Sequence, residues 1–114
     1  MSLSQGQLDR MGREAFRMYG SLTEMVRYSV KATLNSTPVI YRVAAYIDEY
    51  RLSALVNEAI LPTDRRARTL QADVSWQPTD YDEITRTDGS VWRVQSVSGG
   101  PGHSFYMLQL RQVA

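Results

Sequence analysis

The sequence has no cysteine and a single histidine among its 114 residues. Without cysteine there are neither disulfide bonds nor thiolate ligands for zinc, and one histidine cannot build a histidine-only metal cage. We therefore expect neither a metal nor a cofactor in the folded chain.

Charge of one sign is not in excess either, because 13 basic residues stand against 12 acidic ones and the formal net charge is +1. A dedicated DNA-binding domain normally carries a strong basic field. Any contact with nucleic acid is therefore expected to be local.

Long apolar runs are also missing, and none approaches the roughly 18 to 20 residues of a membrane helix. The first letters, MSLSQGQLDRMGREAF, are polar and charged where a signal peptide has its apolar segment. We expect a chain without membrane contact that is made and kept in the cytoplasm. With 114 residues and 43% hydrophobic content, residues 1–114 should form one domain with a modest core and little room for a deep pocket.

Residues 4–19 carry the pattern of an N-terminal helix. Ser4 and Gln7 fit a capping box, and Gly20 is a typical stop. Apolar side chains recur at the spacing of one helical face, namely Leu8, Met11, Ala15, Phe16, Met18 and Tyr19. Since such periodicity is chiefly a burial signal, we interpret this face as packing against a core or a neighbouring subunit.

From residue 23 onward the pattern is typical of β-strands. Apolar and polar residues alternate over 26–34, with Val26, Tyr28, Val30, Ala32 and Leu34 on the apolar side. Further strands are predicted at 39–50, 71–76, 91–97 and 105–113. The fold class predicted is mainly β with one N-terminal α-helix, a small antiparallel barrel or sandwich over residues 23–114.

The stretch 51–69 has no clear period and contains a proline and several charges. We interpret it as a long, mobile connection. Arg65, Arg66 and Arg68 within it have the chemistry to hold phosphates through bidentate hydrogen bonds. We favour a solvated loop over a phosphate site, because exposed charges are screened within about 10 Å. The three arginines remain candidates for a loop that becomes ordered on assembly.

Four carboxylates lie close together in the next connection, namely Asp80, Asp82, Glu83 and Asp88. A calcium loop that starts at Asp80 fails at its fifth and sixth positions, and the adjacent Asp82 and Glu83 point to opposite sides of an extended chain. Asp88 and Gly89 stand between strand-forming neighbours, which predicts a β-hairpin with a type I′ turn. We favour the turn over a metal or acid–base site.

Catalytic patterns are not found. The loop SGGPGHS lacks the lysine of a phosphate-binding loop, and His103 within it is expected to be exposed. No serine, histidine and aspartate occur in an order and context typical of nucleophilic catalysis. We expect no catalytic residue and no enzyme.

The order of features resembles the head–tail joining proteins of tailed bacteriophages, also called head-closure, head–tail adaptor or stopper proteins. The segments that carry it are LDRMGREAFRMYG, VRYSV, YRVAAYIDEY, AILPTDRRARTLQADV, QPTDYDEITRTDGSVWRVQSV and FYMLQLR, which cover nearly the whole chain. The most specific part is the succession of a proline, the D-x-I motif at 82–84, Asp88 and Gly89, VWRV and a closing YMLQLR. The family commonly has glycine before the aspartate of D-x-I, where this sequence has Tyr81.

The resemblance implies a barrel with flexible loops that assembles into a ring in the virion neck. It implies a portal or adaptor ring on the head side, tail-completion or tail-tube proteins on the tail side, and non-specific contact with packaged DNA. Before assembly the chain would lie in the cytoplasm of the bacterial host. The alternative is a small nucleic-acid-binding barrel of the OB or SH3-like type, in which exposed aromatics and arginines stack on single strands.

Overall fold

A computed structural model describes residues 2–19, 22–31 and 37–114 of the chain. Its elements are α1 (Gln5–Tyr19), β1 (Thr23–Val30), β2 (Val39–Glu49), β3 (Arg65–Leu70), β4 (Glu83–Thr85), β5 (Val91–Gly99) and β6 (Phe105–Gln112), with 3-10 turns at Leu52–Val56 and Gln71–Asp73. The strands close into an antiparallel barrel in the order β1-β2-β3-β6-β5-β4. The predicted fold class is confirmed, and of its two forms the closed barrel is observed.

The barrel interior is filled by the side chains that alternate inward along each strand. The buried apolar core consists of Val26, Tyr28, Val43, Ala45, Ala67, Ile84, Trp92, Val94, Tyr106, Leu108 and Leu110 from the strands, together with Val74 from the segment after β3. The alternation predicted for β1 is confirmed through Val30, whereas Ala32 and Leu34 lie outside the described residues. These side chains fill the interior of the barrel.

The predicted connection 51–69 is wrong over residues 65–69, because Arg65–Leu70 forms β3 and pairs with both β2 and β6. Ala67 and Thr69 point into the barrel, while Arg66 and Arg68 lie on the outer side. The three arginines concealed the alternation, because Arg65 is in phase with the inward-facing residues, opposite Leu110, and the inward positions 67 and 69 hold only small side chains.

The strand predicted at 71–76 is also wrong. Gln71–Asp73 is a 3-10 turn, and the following residues are not in a strand. Val74 is buried, and the Trp76 ring stacks on Tyr41 with centroids 4.1 Å apart. These side chains cover the barrel and do not extend its sheet. The prediction was wrong because a segment that covers a core carries apolar residues just as a strand does.

Strand β4 was not predicted because three residues are too few to show a period. It closes the barrel by pairing with β1 on one side, Arg27 opposite Thr85, and with β5 on the other, Ile84 opposite Trp92. In β5 the register shifts between Val94 and Ser96. This bulge interrupts the strict alternation predicted for 91–97.

Helix α1 begins with the predicted capping box. The Gln7 backbone N–H donates to Ser4 Oγ at 3.2 Å, and the Ser4 N–H donates to Gln7 Oε1 at 2.8 Å. The predicted stop at Gly20 lies outside the described residues. No helix in the described ranges combines the length and hydrophobicity that crossing a membrane requires.

The helix packs on the outer side of β3 and β6. Phe16 lies against Phe105, with ring centroids 5.8 Å apart. A Cβ built on Gly12 would be 3.0 Å from Ser104 Cβ and 3.1 Å from Leu70 Cδ2. Glycine inside a helix costs roughly 0.5 to 1 kcal/mol relative to alanine, and here it allows the helix to approach the barrel closely.

The predicted apolar face of the helix is divided between two sides. Leu8, Ala15 and Phe16 face the barrel, whereas Met11 and Met18 are exposed; the side chain of Tyr19 lies outside the described part. The barrel therefore accounts for only part of this face, and a contact of the exposed methionines with a neighbouring subunit stays a prediction.

Candidate functional site

Asp82, the central residue of the acidic stretch, is fully buried. Its carboxylate accepts hydrogen bonds from the Tyr28 hydroxyl at 2.6 Å, the Lys31 backbone N–H at 3.0 Å, and Thr79 through both backbone N–H and hydroxyl at 2.9 and 3.2 Å. Burial, and then the Asp82 carboxylate, raise the pKa of Tyr28 far above its ordinary value. All of these donors belong to the protein itself, so Asp82 fastens the connection before β4 to the end of β1.

The other carboxylates of the stretch do not converge on Asp82. Glu83 lies on the outer side of β4 with Lys31 Nζ at 2.8 Å and Arg93 at 3.4 Å, and these cations lower its pKa. Asp80 is exposed. Within the described residues, no three side chains of histidine, cysteine, aspartate or glutamate are grouped so as to hold a metal ion.

Asp88 and Gly89 lie in the hairpin between β4 and β5, with a turn that differs from the predicted type I′. Gly89 has φ 88°, whereas Asp88 does not have positive φ. The Gly89 N–H donates to the Arg86 carbonyl at 3.0 Å. This geometry is typical of a type I turn followed by a left-handed glycine.

The hairpin is held down by Glu24 of β1. Its carboxylate accepts from Arg86 Nη2 at 2.6 Å and from Arg86 Nε at 3.1 Å, and Thr87 donates to its second oxygen. Burial alone would raise the pKa of Glu24, but these donors lower it. The turn is therefore a braced structural element.

The three arginines predicted for an assembly loop do not form one cluster. Arg65 lies 5.8 Å from the Trp92 ring centroid and 3.6 Å from Glu49. Arg66 makes a two-pronged contact with Asp48, at 3.2 and 2.8 Å, which raises the pKa of the arginine. Arg68 shares the outer side with Arg66 and stands opposite Tyr46 in the sheet.

A second buried carboxylate, Asp64, lies at the end of the connection before β3. Arg111 donates to it through Nε and Nη2, both at 3.0 Å, while Gln109 and the Leu61 N–H donate at 2.9 Å. Burial would raise the pKa of Asp64, but Arg111 and these other donors lower it. Gln109 and Arg111 also donate to the Ala59 carbonyl, which fixes the last part of the connection over β6.

Sequence reasoning missed this cluster because its members come from positions 59–64 and 109–111, which no local period connects. The available signal was the pair Gln109 and Arg111 on the outer side of an otherwise apolar strand. Where another segment covers the outer side of β6, the buried polar groups of these two residues require hydrogen-bond partners in that segment.

The loop SGGPGHS holds the helix rather than a ligand. The Gly102 N–H donates to Gln5 Oε1 at 2.6 Å, and Gln5 Nε2 donates to the His103 carbonyl at 3.0 Å. Ser104 donates its hydroxyl to the Leu8 carbonyl. The His103 side chain is exposed, as predicted.

Tyr81 has the one non-glycine backbone of the described residues with positive φ, at 78°. Its N–H donates to the Val94 carbonyl at 3.1 Å, and the Val94 N–H donates to the Asp82 carbonyl at 2.8 Å. These two bonds fix the left-handed turn while the tyrosine side chain remains exposed. The residue before the D-x-I motif thus has the backbone conformation that favours glycine.

Two exposed apolar surfaces are candidates for assembly. The first, the outer helix surface, consists of Leu3, Met11 and Met18. The second, the connection surface, consists of Leu52 and Val56, each 86% exposed. The helix packs beside Leu70 at the end of β3, and the connection surface precedes the start of β3, so the strand separates the two.

Neither a scan against models of known protein families nor a search of curated proteins found a match to this chain.

Proposed function

We propose that this chain is a structural subunit of a phage or prophage virion that joins the head to the tail as part of a ring in the neck. The backbone at Tyr81 carries the proposal. The family that the sequence resembles commonly has glycine directly before the aspartate of D-x-I, and Tyr81 occupies that position with φ 78°. Glycine adopts this conformation readily and tyrosine rarely does, so a positive φ at the position where the family commonly has glycine supports the proposal.

The two exposed apolar surfaces support assembly into a ring. A ring built from identical subunits requires a head-to-tail contact, in which two different surfaces of each subunit meet. The two surfaces differ in sequence. The outer helix surface belongs to the helix that packs beside Leu70 at one end of β3, and the connection surface follows Glu49, which pairs with Arg65 at the other end. A contact between them, repeated around an axis, would leave the remaining surface to the head-side and tail-side partners and to packaged DNA.

The contacts of the connection favour its first part as the segment that orders on assembly. The end of the connection is fixed by Asp64 and by the hydrogen bonds to the Ala59 carbonyl. Within Leu52–Val56, by contrast, no residue is buried. We therefore assign the assembly role to Leu52–Val56, in place of Arg65, Arg66 and Arg68.

Matched valine substitutions test the proposal in the phage that encodes the chain. Val56→Asp places a charge on the connection surface, and Val113→Asp places the same charge on an exposed valine outside it. We expect both variants to melt within a few degrees of the wild type. Only Val56→Asp should yield DNA-filled heads and separate tails, seen by electron microscopy.

A parallel variant, Met18→Asp, changes the outer helix surface and should give the same unjoined particles. Normal yields of infectious virions from both Val56→Asp and Met18→Asp would contradict the ring contact. A deletion of the whole gene that still gave joined particles would contradict the neck function itself.

The nucleic-acid-binding alternative has less support. Binding single strands by stacking requires several exposed aromatic rings. Among the described side chains, Tyr81 is the exposed aromatic one, and the other aromatic rings are buried or partly buried.

A further inference from the structure

Two arginines stand directly opposite each other on the outer side of the barrel without an acidic partner. Arg27 of β1 pairs in register with Arg42 of β2, and both side chains are exposed. Neither forms an ion pair with any described residue. The positions outside the described ranges contain no aspartate or glutamate, so they supply no partner either.

This arrangement is unusual in the molecule, because most of the other arginines in or beside the strands form ion pairs with carboxylates of the chain. Those paired with a carboxylate are Arg65, Arg66, Arg93 and Arg111, and Arg86 beside β4 is paired as well. Like charges directly opposite in a sheet are destabilising. With Arg13 of α1, six arginines are thus paired with the chain's own carboxylates, whereas Arg27 and Arg42 face each other, and an external anion would relieve their repulsion.

The surroundings form a groove suited to a carboxylate. Thr85 of β4 is opposite Arg27 on its other side, so a hydroxyl and two guanidinium groups form one row across three strands. The groove has a volume of about 340 Å³, and Met25 lines it beside the arginines. Directly opposite side chains are about 5 Å apart at Cβ, which allows one carboxylate to contact both guanidinium groups.

Apolar neighbours favour a protein over a nucleic acid as the source of the anion. Met25 and Ile40 are both about half exposed on the same outer side. Methionine and arginine are enriched at protein interfaces. Nucleic acids are typically held by many more phosphate contacts than two unpaired arginines provide.

We propose that the outer side of β1 and β2 binds an acidic segment of a partner protein, with a carboxylate bridging Arg27 and Arg42 and an apolar side chain against Met25. The proposal does not depend on the neck assignment, because it rests on the charge pattern of this sheet face.

The test is a nuclear magnetic resonance titration of the labelled full chain with the blocked peptide Gly-Asp-Leu-Asp-Leu-Gly. We expect saturable shifts of β1 and β2 amides and of the arginine Nε–H signals. A peptide with asparagine in place of aspartate should cause no such shifts.

Two double variants of equal net charge separate a local site from a general charge effect. Arg27→Ser with Arg42→Ser should weaken peptide binding by about tenfold or more, whereas Arg10→Ser with Arg17→Ser on α1 should leave it unchanged. The first variant should also melt at or above the wild-type temperature, because it removes a repulsion, and this confirms that lost binding is not lost folding.

Several results would overturn the proposal. These are the absence of saturable shifts, equal weakening by both double variants, and a melting temperature of the first variant clearly below the wild type. Stronger binding of a single-stranded DNA oligonucleotide to the same residues would assign the face to nucleic acid. Concentration-dependent shifts there without peptide would assign it to a second copy of the chain.

Discussion

Asp82 and Asp64 are both fully buried carboxylates at the end of a connection, but they are stabilised by different donors. Asp82 accepts hydrogen bonds from neutral groups, namely a tyrosine hydroxyl, a threonine hydroxyl and two backbone N–H groups. Asp64 is paired with Arg111, whose side chain is 35% exposed. The cost of removing a carboxylate from water is thus offset by neutral hydrogen-bond donors at Asp82 and by an ion pair at Asp64. We expect the two sites to respond differently to substitution, acid and salt.

The largest effect is expected from Asp82→Ala. The substitution leaves the buried Tyr28 hydroxyl and the backbone N–H groups of Lys31 and Thr79 without their acceptor, and each unsatisfied buried group costs about 1 to 3 kcal/mol. We expect the free energy of unfolding, measured in urea, to fall by about 3 to 5 kcal/mol. Tyr28→Phe, which removes one donor and leaves the others, should cost clearly less; a loss below about 1 kcal/mol for Asp82→Ala would show that water replaces the carboxylate.

Asp64→Ala should cost less, about 2 to 3 kcal/mol, because the exposed part of Arg111 can regain water when its partner is removed. Arg111→Ala leaves the carboxylate buried with Gln109 and the Leu61 N–H as donors. A double-mutant cycle measured by urea unfolding should give a coupling energy of about 1 kcal/mol or more. Strictly additive losses would mean that the pair does not stabilise the connection.

Acid should distinguish Asp64 from its uncharged replacement. The folded protein lowers the pKa of Asp64 below its ordinary value of 3.8, so its stabilisation is fully present above that value and is lost as the pH falls through the folded pKa. Between about pH 5 and pH 3, the wild type should therefore lose more unfolding free energy than Asp64→Asn. Glu24 and Glu83, whose pKa values are also lowered, are present in both proteins, so the difference in slope isolates Asp64; parallel slopes would contradict this account.

Salt should produce the smallest difference. Raising the ionic strength to about 1 M screens charges beyond about 3 Å. The partly exposed pair of Asp64 and Arg111 should lose a few tenths of a kcal/mol in its coupling energy. The loss caused by Asp82→Ala should not change with salt, because its donors are neutral; an equal salt response at both sites would remove the distinction between them.

The elements predicted correctly from sequence are those whose local pattern and tertiary role agree. The capping box of Ser4 and Gln7, the alternation through Val26 and Tyr28, and the strands at 91–97 and 105–113 are all observed with small changes of boundary. Each depends on near neighbours in the chain or on one buried side of a strand, which a short window of residues can reveal.

The candidate site was harder to predict, since its residues are polar and their roles depend on distant partners. The arginines at 65, 66 and 68 indicated a loop, because the sequence does not show that Asp48 and Trp92 lie beside two of them. The burial of Asp82 could not be predicted, because it depends on Tyr28, which is 54 positions away.

The sequence alone determined that this chain is mainly β with one N-terminal helix, because alternation and capping are local properties of the chain. It also determined a hairpin at Asp88 and Gly89, since glycine tolerates the positive φ that the turn requires at position 89. Only the tertiary structure decided that the barrel closes through the three residues of β4 and that Asp64 and Asp82 are buried. It alone placed Arg27 opposite Arg42, because strand register and burial depend on pairing between segments that the chain brings together from far apart.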